Sequence, residues 1–104
     1  MSERIEKIKE FLVLTPDDSF LKHALALEYI KIGEDQKARA LFEDLLERDP
    51  GYIGSYYHLG KLLERVSETG LAVGWYEKGM TIAKANGDQH AFNELYAARE
   101  ELAD

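Results

Sequence analysis

Cysteine is absent from this chain, and histidine occurs only three times, at His23, His58 and His90. Without thiols the chain can form no disulfide and offers no thiolate ligand to a metal. The three imidazoles lie too far apart in sequence to suggest a set of metal ligands. We therefore expect neither a structural metal nor a cofactor.

Positive charge is also scarce, because thirteen lysines and arginines stand against twenty acidic residues and leave a net charge of -7. A field of this sign repels nucleic acids and anionic membrane surfaces. No segment approaches the roughly eighteen uninterrupted apolar residues of a membrane span, and residues 1–9 are charged, unlike a signal peptide. We expect a cytoplasmic protein whose partners are neither nucleic acids nor membranes.

Apolar residues recur three and four positions apart along most of the chain, a spacing that is typical of helices. Helix breakers interrupt this pattern at residues 15–18, 33–35, 49–51, 67–68 and 86–88. The predicted helices cover residues 3–14, 18–32, 36–48, 53–66, 69–86 and 88–103. Because the loops between them are short, we predict an all-α fold of six helices with antiparallel neighbours.

The chain repeats itself with a period of 34 residues. The interval relates Pro16 to Pro50, Leu25 to Leu59, Ala26 to Gly60, Ala38 to Ala72 and Phe42 to Tyr76. Ile8 precedes Phe42 by the same interval, so the first helix is in phase with the rest. The period predicts a half-repeat at residues 3–14, full repeats at 19–52 and 53–86, and a final helix at 88–103.

The residues at these positions resemble the tetratricopeptide repeat. Its signature places are filled first by Lys22, Leu25, Ala26, Tyr29, Ala38, Phe42 and Pro50, and then by Tyr56, Leu59, Gly60, Leu63, Ala72, Tyr76 and Gly79. The resemblance implies that residues 1–104 form one domain of helix-turn-helix repeats, stacked in a right-handed superhelix. Residues 88–103 are then a capping helix with an apolar inner face.

Two departures from the repeat have structural consequences. Lys22 stands where the family has a large apolar residue, and Lys84 stands where the second repeat would end in proline. Without that proline the fifth helix can continue to residue 85, which shifts the final helix out of register. Gly60 and Gly79 are expected at close helix contacts, and Gly70 in the turn beside Ser67.

The resemblance also implies a function, since the first helix of each repeat in this family lines a concave surface that binds proteins or peptides. Carried over by position, the candidate binding residues are His23, Leu27, Lys31, Tyr57, His58, Lys61, Glu64 and Arg65. Their lysines, arginine and aromatic rings predict an acidic or carboxylate-ended peptide. The alternative for Leu27, with Phe20 and Ile30, is packing against the first helix, which would leave little groove.

Other functions are less well supported by the residues. The serines lie mostly at helix boundaries, where capping explains them, and no catalytic triad is apparent, so we expect no enzymatic activity. The alternative to peptide binding is a structural module that forms a homodimer. Such self-association would use Trp75, the final helix or an unfilled groove.

Overall fold

A computed structural model describes residues 3–103 of the chain, and these residues form six helices. In chain order they are α1 (Glu3–Leu14), α2 (Ser19–Lys31), α3 (Asp35–Arg48), α4 (Gly54–Arg65), α5 (Thr69–Ala85) and α6 (Gln89–Glu101). No strand occurs among the described residues, and each helix begins and ends within two residues of its predicted bounds. The all-α prediction is confirmed.

Two helices begin with the same aspartate cap. The carboxylate of Asp18 accepts a hydrogen bond of 2.9 Å from the backbone N–H of Leu21, at the start of α2. The carboxylate of Asp88 accepts one of 3.0 Å from the N–H of Ala91, at the start of α6. Each cap satisfies a backbone donor that has no acceptor within its own helix.

Three loops turn through one residue with left-handed backbone geometry. Gly33 has a φ of 78° and Gly87 a φ of 71°, whereas Ser67, one period after Gly33, has a φ of 66°. The expectation that Gly70 belongs to this turn was wrong, because Gly70 lies in the first turn of α5. Ser67 thus takes a conformation that a glycine adopts with less steric strain.

The chain divides after Asp49 into two compact units of three helices each. In the first unit α2 packs against both α1 and α3, and in the second unit α5 packs against both α4 and α6. That residues 1–104 act as one domain stays a prediction.

A contact between a glycine and an aromatic ring lies at the centre of the second unit. Tyr76 of α5 is fully buried, and its ring covers the bare backbone of Gly60 in α4 so closely that an added Cβ would overlap the ring. Gly79 makes a similar contact, since a Cβ there would lie 2.7 Å from Cβ of Tyr56 and 2.8 Å from Cδ1 of Leu95. The predicted close approaches at Gly60 and Gly79 are confirmed.

In the first unit, Lys22 occupies a position where the repeat has a large apolar residue. Lys22 is buried beside α3, and its Nζ donates to Oδ2 of Asp44 over 2.9 Å. This hydrogen bond, with a second from Arg48, lowers the pKa of the Asp44 carboxyl. The aliphatic part of Lys22 can therefore take the place of the apolar residue while its ammonium reaches an acceptor near the surface.

The absence of proline at position 84 has the predicted effect. Helix α5 continues to Ala85, and α6 follows after a short turn. Leu95 and Ala98 of α6 are buried within the second unit. Helix α6 therefore covers part of α5. That it acts as a capping helix stays a prediction.

The glycines of the second unit allow a direct test of these contacts. We expect Gly60→Ala to destabilise the protein by about 1 to 3 kcal/mol, since the methyl group would meet the Tyr76 ring. Gly74, where an added Cβ meets nothing within 4 Å, should tolerate alanine or gain up to about 1 kcal/mol of helix propensity. Urea unfolding followed by circular dichroism measures both, and equal responses would contradict the assigned contact.

The left-handed turn residue provides a second test. Ser67→Gly removes the steric penalty of a side chain at positive φ, so we expect a gain of roughly 0.5 to 1 kcal/mol in the free energy of unfolding. The reverse change at the equivalent turn, Gly33→Ser, should lower stability by a similar amount. Thermal unfolding of the two variants checks this, and a destabilised Ser67→Gly protein would show that the serine side chain has a stabilising contact.

Candidate functional site

The predicted binding residues lie on two helices, one in each unit, and each group is described separately. We call His23, Leu27 and Lys31 the α2 face, and Tyr57, His58, Lys61, Glu64 and Arg65 the α4 face. His23, Leu27 and Lys31 follow each other at intervals of four, and so do Tyr57, Lys61 and Arg65 one period later, so each set of three lies along one side of its helix. His58 and Glu64 lie beside the second set.

The α2 face is occupied largely by contacts within the first unit. His23 and Leu27 are half-buried, and the His23 ring meets the edge of the Phe42 ring at 5.6 Å. Nζ of Lys31 donates to the buried carboxylate of Glu28 over 3.0 Å, and this hydrogen bond is the main cause of a lowered pKa at Glu28. A carboxylate that stays ionised holds the Lys31 ammonium in place.

Phe20, at the start of α2, does not pack against α1 as the alternative predicted. Its side chain is 67% exposed, whereas Leu27 and Ile30 are half-buried. Helix α1 packs on α2 through Ile5 and Ile8, both buried, and through a salt bridge of 3.0 Å from Arg4 to Glu28. Packing against α1 therefore does not explain Phe20. It remains an explanation for Leu27 and Ile30.

On the α4 face, a lysine lies above an aromatic ring. Nζ of Lys61 is 5.7 Å from the centre of the Tyr57 ring, which is the range of a cation–π contact. The same nitrogen lies 3.8 Å from Oε2 of Glu64 and 3.6 Å from Oε1 of Glu101 in α6. Both distances are longer than a hydrogen bond between nitrogen and oxygen, so neither carboxylate binds the ammonium tightly.

Tyr76, a residue of the core, holds Glu64 in position. The hydroxyl of buried Tyr76 donates to Oε2 of Glu64. Burial is the main cause of the strongly raised pKa of Tyr76, and the hydrogen bond to Glu64 adds to it, so the phenol stays protonated as a donor. Glu64 is therefore a fixed negative charge beside Lys61 rather than a freely turning surface side chain.

The remaining residues of the α4 face differ in their surroundings. His58 is half-buried, and burial lowers its pKa, although the charge of Glu94 opposes the shift. Its imidazole is thus neutral near pH 7 and meets the Tyr57 ring edge-on at 5.6 Å. Arg65 is exposed in the last turn of α4. The face consequently presents a ring pair, one half-buried lysine and one exposed arginine.

Sequence reasoning missed three residues that shape this face. Glu94 and Glu101 belong to α6, and Tyr76 was predicted only as a residue of the repeat signature. No sequence signal points to the two glutamates, because α6 is out of register with the repeat. The hydroxyl of Tyr76 could have been noticed, since Phe42 one period earlier lacks it.

Neither metal binding nor a membrane span is apparent in the described part of the chain. Within residues 3–103 no three histidine or acidic side chains are grouped to hold an ion. None of the six helices is long and apolar enough to cross a bilayer.

Comparison with known proteins extends the repeat assignment. No protein-family model matches the chain. A tetratricopeptide-repeat-containing protein of Pseudomonas aeruginosa is 26% identical over 91 residues, which is 88% of this chain and 87% of that protein. The solution structure of a Bordetella parapertussis protein superposes on this chain with a TM-score of 0.84 and is 26% identical. The match covers 99% of this chain and 90% of that protein's chain.

A third relative is more similar in sequence. The solution structure of a tetratricopeptide repeat domain protein from Salinibacter ruber superposes with a TM-score of 0.81 and is 43% identical. The match covers 85% of this chain and 89% of that one. Together with the 34-residue period and the glycine–tyrosine contact, this similarity shows that the chain belongs to the tetratricopeptide-repeat family.

Proposed function

We propose that this protein is an interaction module whose α4 face binds a peptide segment carrying a carboxylate. The family generally serves protein–protein interaction, and the proposal adds a surface and a ligand class to that role. The observation that supports it most directly is the loosely held ammonium of Lys61 above the ring of Tyr57.

The two lysines of the predicted surface differ in how readily they could accept a new partner. Lys31 donates to Glu28 at 3.0 Å, so a ligand would have to break a charge-assisted hydrogen bond. Lys61 lies 3.6 and 3.8 Å from its two carboxylates, and ion pairs of this kind at a protein surface contribute little stability. An incoming carboxylate can replace them at low cost, which favours the α4 face over the α2 face.

Spacing along α4 provides for more than one contact. Tyr57, Lys61 and Arg65 follow each other at intervals of four, so a bound segment can place a carboxylate between the two cations and an apolar group on the ring. Glu64 and Glu101 give the same surface negative charge, which disfavours ligands with many carboxylates. We therefore propose a segment with one carboxylate, such as a chain terminus, beside an apolar residue.

We propose no catalytic activity for this protein. Proteins of this family generally act as non-enzymatic scaffolds, and we extend this to the present protein. Binding on α4 needs only groups that recognise a ligand, and the candidate residues supply a ring, cations and a carboxylate.

Self-association is a second candidate function, because apolar side chains are unusually exposed in the first unit. Phe11, Val13 and Leu14 of α1 and Phe20 of α2 are all more than half exposed. Contiguous exposed apolar patches often mark protein–protein interfaces, and Phe11 and Leu14 lie three residues apart on one side of α1. A homodimer or a larger assembly of identical chains would cover them.

Neutral substitutions test the α4 face without crowding its acids. Lys61→Gln combined with Arg65→Gln removes both cations, whereas glutamate at position 61 would add a third carboxylate beside Glu64 and Glu101. We expect the double variant to lose about tenfold or more in affinity for partners captured from a lysate by the wild-type chain, with unchanged helicity. Affinity capture followed by quantitative mass spectrometry, and titration of each captured segment, measure this.

A matched control makes the same charge change elsewhere in the second unit. Lys78→Gln combined with Lys84→Gln removes two exposed cations from α5 and should leave partner binding unchanged. Equal loss of binding in both double variants would show an effect of net charge, and unchanged binding in the Lys61 and Arg65 variant would place the binding site elsewhere.

A further inference from the structure

We infer that Glu101 of α6 determines which carboxylates the α4 face accepts. Its own carboxylate holds the place of a ligand carboxylate beside Lys61, and it moves into solvent when a ligand binds. The inference rests on the proposed function of the α4 face, to which it adds a resident competitor and a charge selectivity.

The charge at the end of α6 is opposite to the charge at the ends of α2 and α4. Helices α2 and α4 end at Lys31 and Arg65, whereas α6 ends at Glu101. A cation in the last turn of a helix interacts favourably with the helix dipole, and a carboxylate there interacts unfavourably. Glu101 therefore does not stabilise the end of its own helix, and its carboxylate lies instead beside Lys61 of α4.

The contact between Glu101 and Lys61 is an ion pair that a ligand can replace. Oε1 of Glu101 lies 3.6 Å from Nζ of Lys61, which is longer than a charge-assisted hydrogen bond. The side chain of Glu101 is 70% exposed, so water screens the pair. The carboxylate of Glu101 can thus exchange Lys61 for water at low cost, and a ligand carboxylate can take its position.

The other carboxylate beside Lys61 is held more firmly. Glu64 accepts a hydrogen bond from the hydroxyl of Tyr76, a residue that is fully buried. Moving Glu64 away would leave this buried hydroxyl without its acceptor, which costs more than breaking an ion pair at the surface. Exchange at Lys61 therefore occurs on the side of Glu101, while Glu64 stays in place.

This exchange also sets the number of charges that a ligand can carry. A single incoming carboxylate replaces one negative charge at Lys61 with another, so the charge around the ammonium is unchanged. A second carboxylate on the ligand would be repelled by Glu64 and by the displaced Glu101, which remains attached to the end of α6. Glu101 therefore weakens the binding of every carboxylate ligand, and it weakens the binding of dicarboxylates most.

Three small probes of different charge test the role of Glu101. N-acetyl-phenylalanine carries a ring and one carboxylate, N-acetyl-phenylalaninamide carries the ring alone, and N-acetyl-aspartyl-phenylalanine carries the ring and two carboxylates. Each is titrated at neutral pH into the isotope-labelled protein, and the backbone amide resonances of α4 are followed by NMR. We expect the wild type to bind the monocarboxylate about fivefold or more tightly than the amide, and Lys61→Gln to lose this preference.

The variants change the charge at the end of α6 in steps. Glu101→Gln removes the competing charge at nearly the same size, so affinity for the monocarboxylate should rise about two- to fivefold, and affinity for the dicarboxylate should rise more. Glu101→Lys adds a cation and should raise both affinities further. The matched control is Glu100→Gln, since the carboxylate of Glu100 accepts a hydrogen bond of 2.9 Å from Arg99. It removes one charge from the same helix end and should bind all three probes like the wild type.

The possible results separate this inference from the proposed function. A wild type that does not prefer the monocarboxylate to the amide, or a preference that survives in Lys61→Gln, contradicts the proposed function of the α4 face. A preference that depends on Lys61 but is unchanged in Glu101→Gln contradicts the role of Glu101 and leaves the binding surface as proposed. An equal gain in Glu100→Gln would show an effect of net charge and would also contradict that role.

Discussion

The Tyr76 ring lies directly on the backbone of Gly60, and the arrangement of the second unit depends on this contact. A side chain at position 60 would push α4 away from α5, and a smaller residue at position 76 would leave a cavity. Glycine in the middle of a helix costs about 1 kcal/mol of propensity relative to alanine, which the burial of the ring offsets. The resulting distance between α4 and α5 determines where the other side chains of these two helices lie.

The same ring connects the core to the proposed binding surface. Its hydroxyl is protonated because it is buried, and it donates to Glu64, which lies at the edge of α4. Glu64 in turn lies beside Lys61, whose ammonium stays close to the Tyr57 ring. A packing contact in the core thus holds the carboxylate of Glu64 in place, whereas the ammonium of Lys61 beside it is held only loosely.

Much of this structure could be predicted from the period of 34 residues. The period placed small and aromatic residues in contact, and it put Tyr57 and Lys61 on one side of α4. The period could not predict the ion pair between Lys61 and Glu101, because Glu101 belongs to α6, which is out of register with the repeat. The burial of Lys22 was also hidden, since its acceptor Asp44 becomes apparent only when α2 and α3 are packed. That the α4 face binds a partner stays a prediction.

Gly60 is required because of the Tyr76 ring, so changes at the two positions should be energetically coupled, and a double-mutant cycle measures that coupling. The free energy of unfolding in urea is measured for the wild type, Gly60→Ala, Tyr76→Leu and the double variant. If the ring is the obstacle, alanine at position 60 is tolerated once leucine replaces Tyr76, and the coupling between the two changes exceeds about 1 kcal/mol. Effects that add to within roughly 0.5 kcal/mol would show that the two residues act independently and would contradict the account.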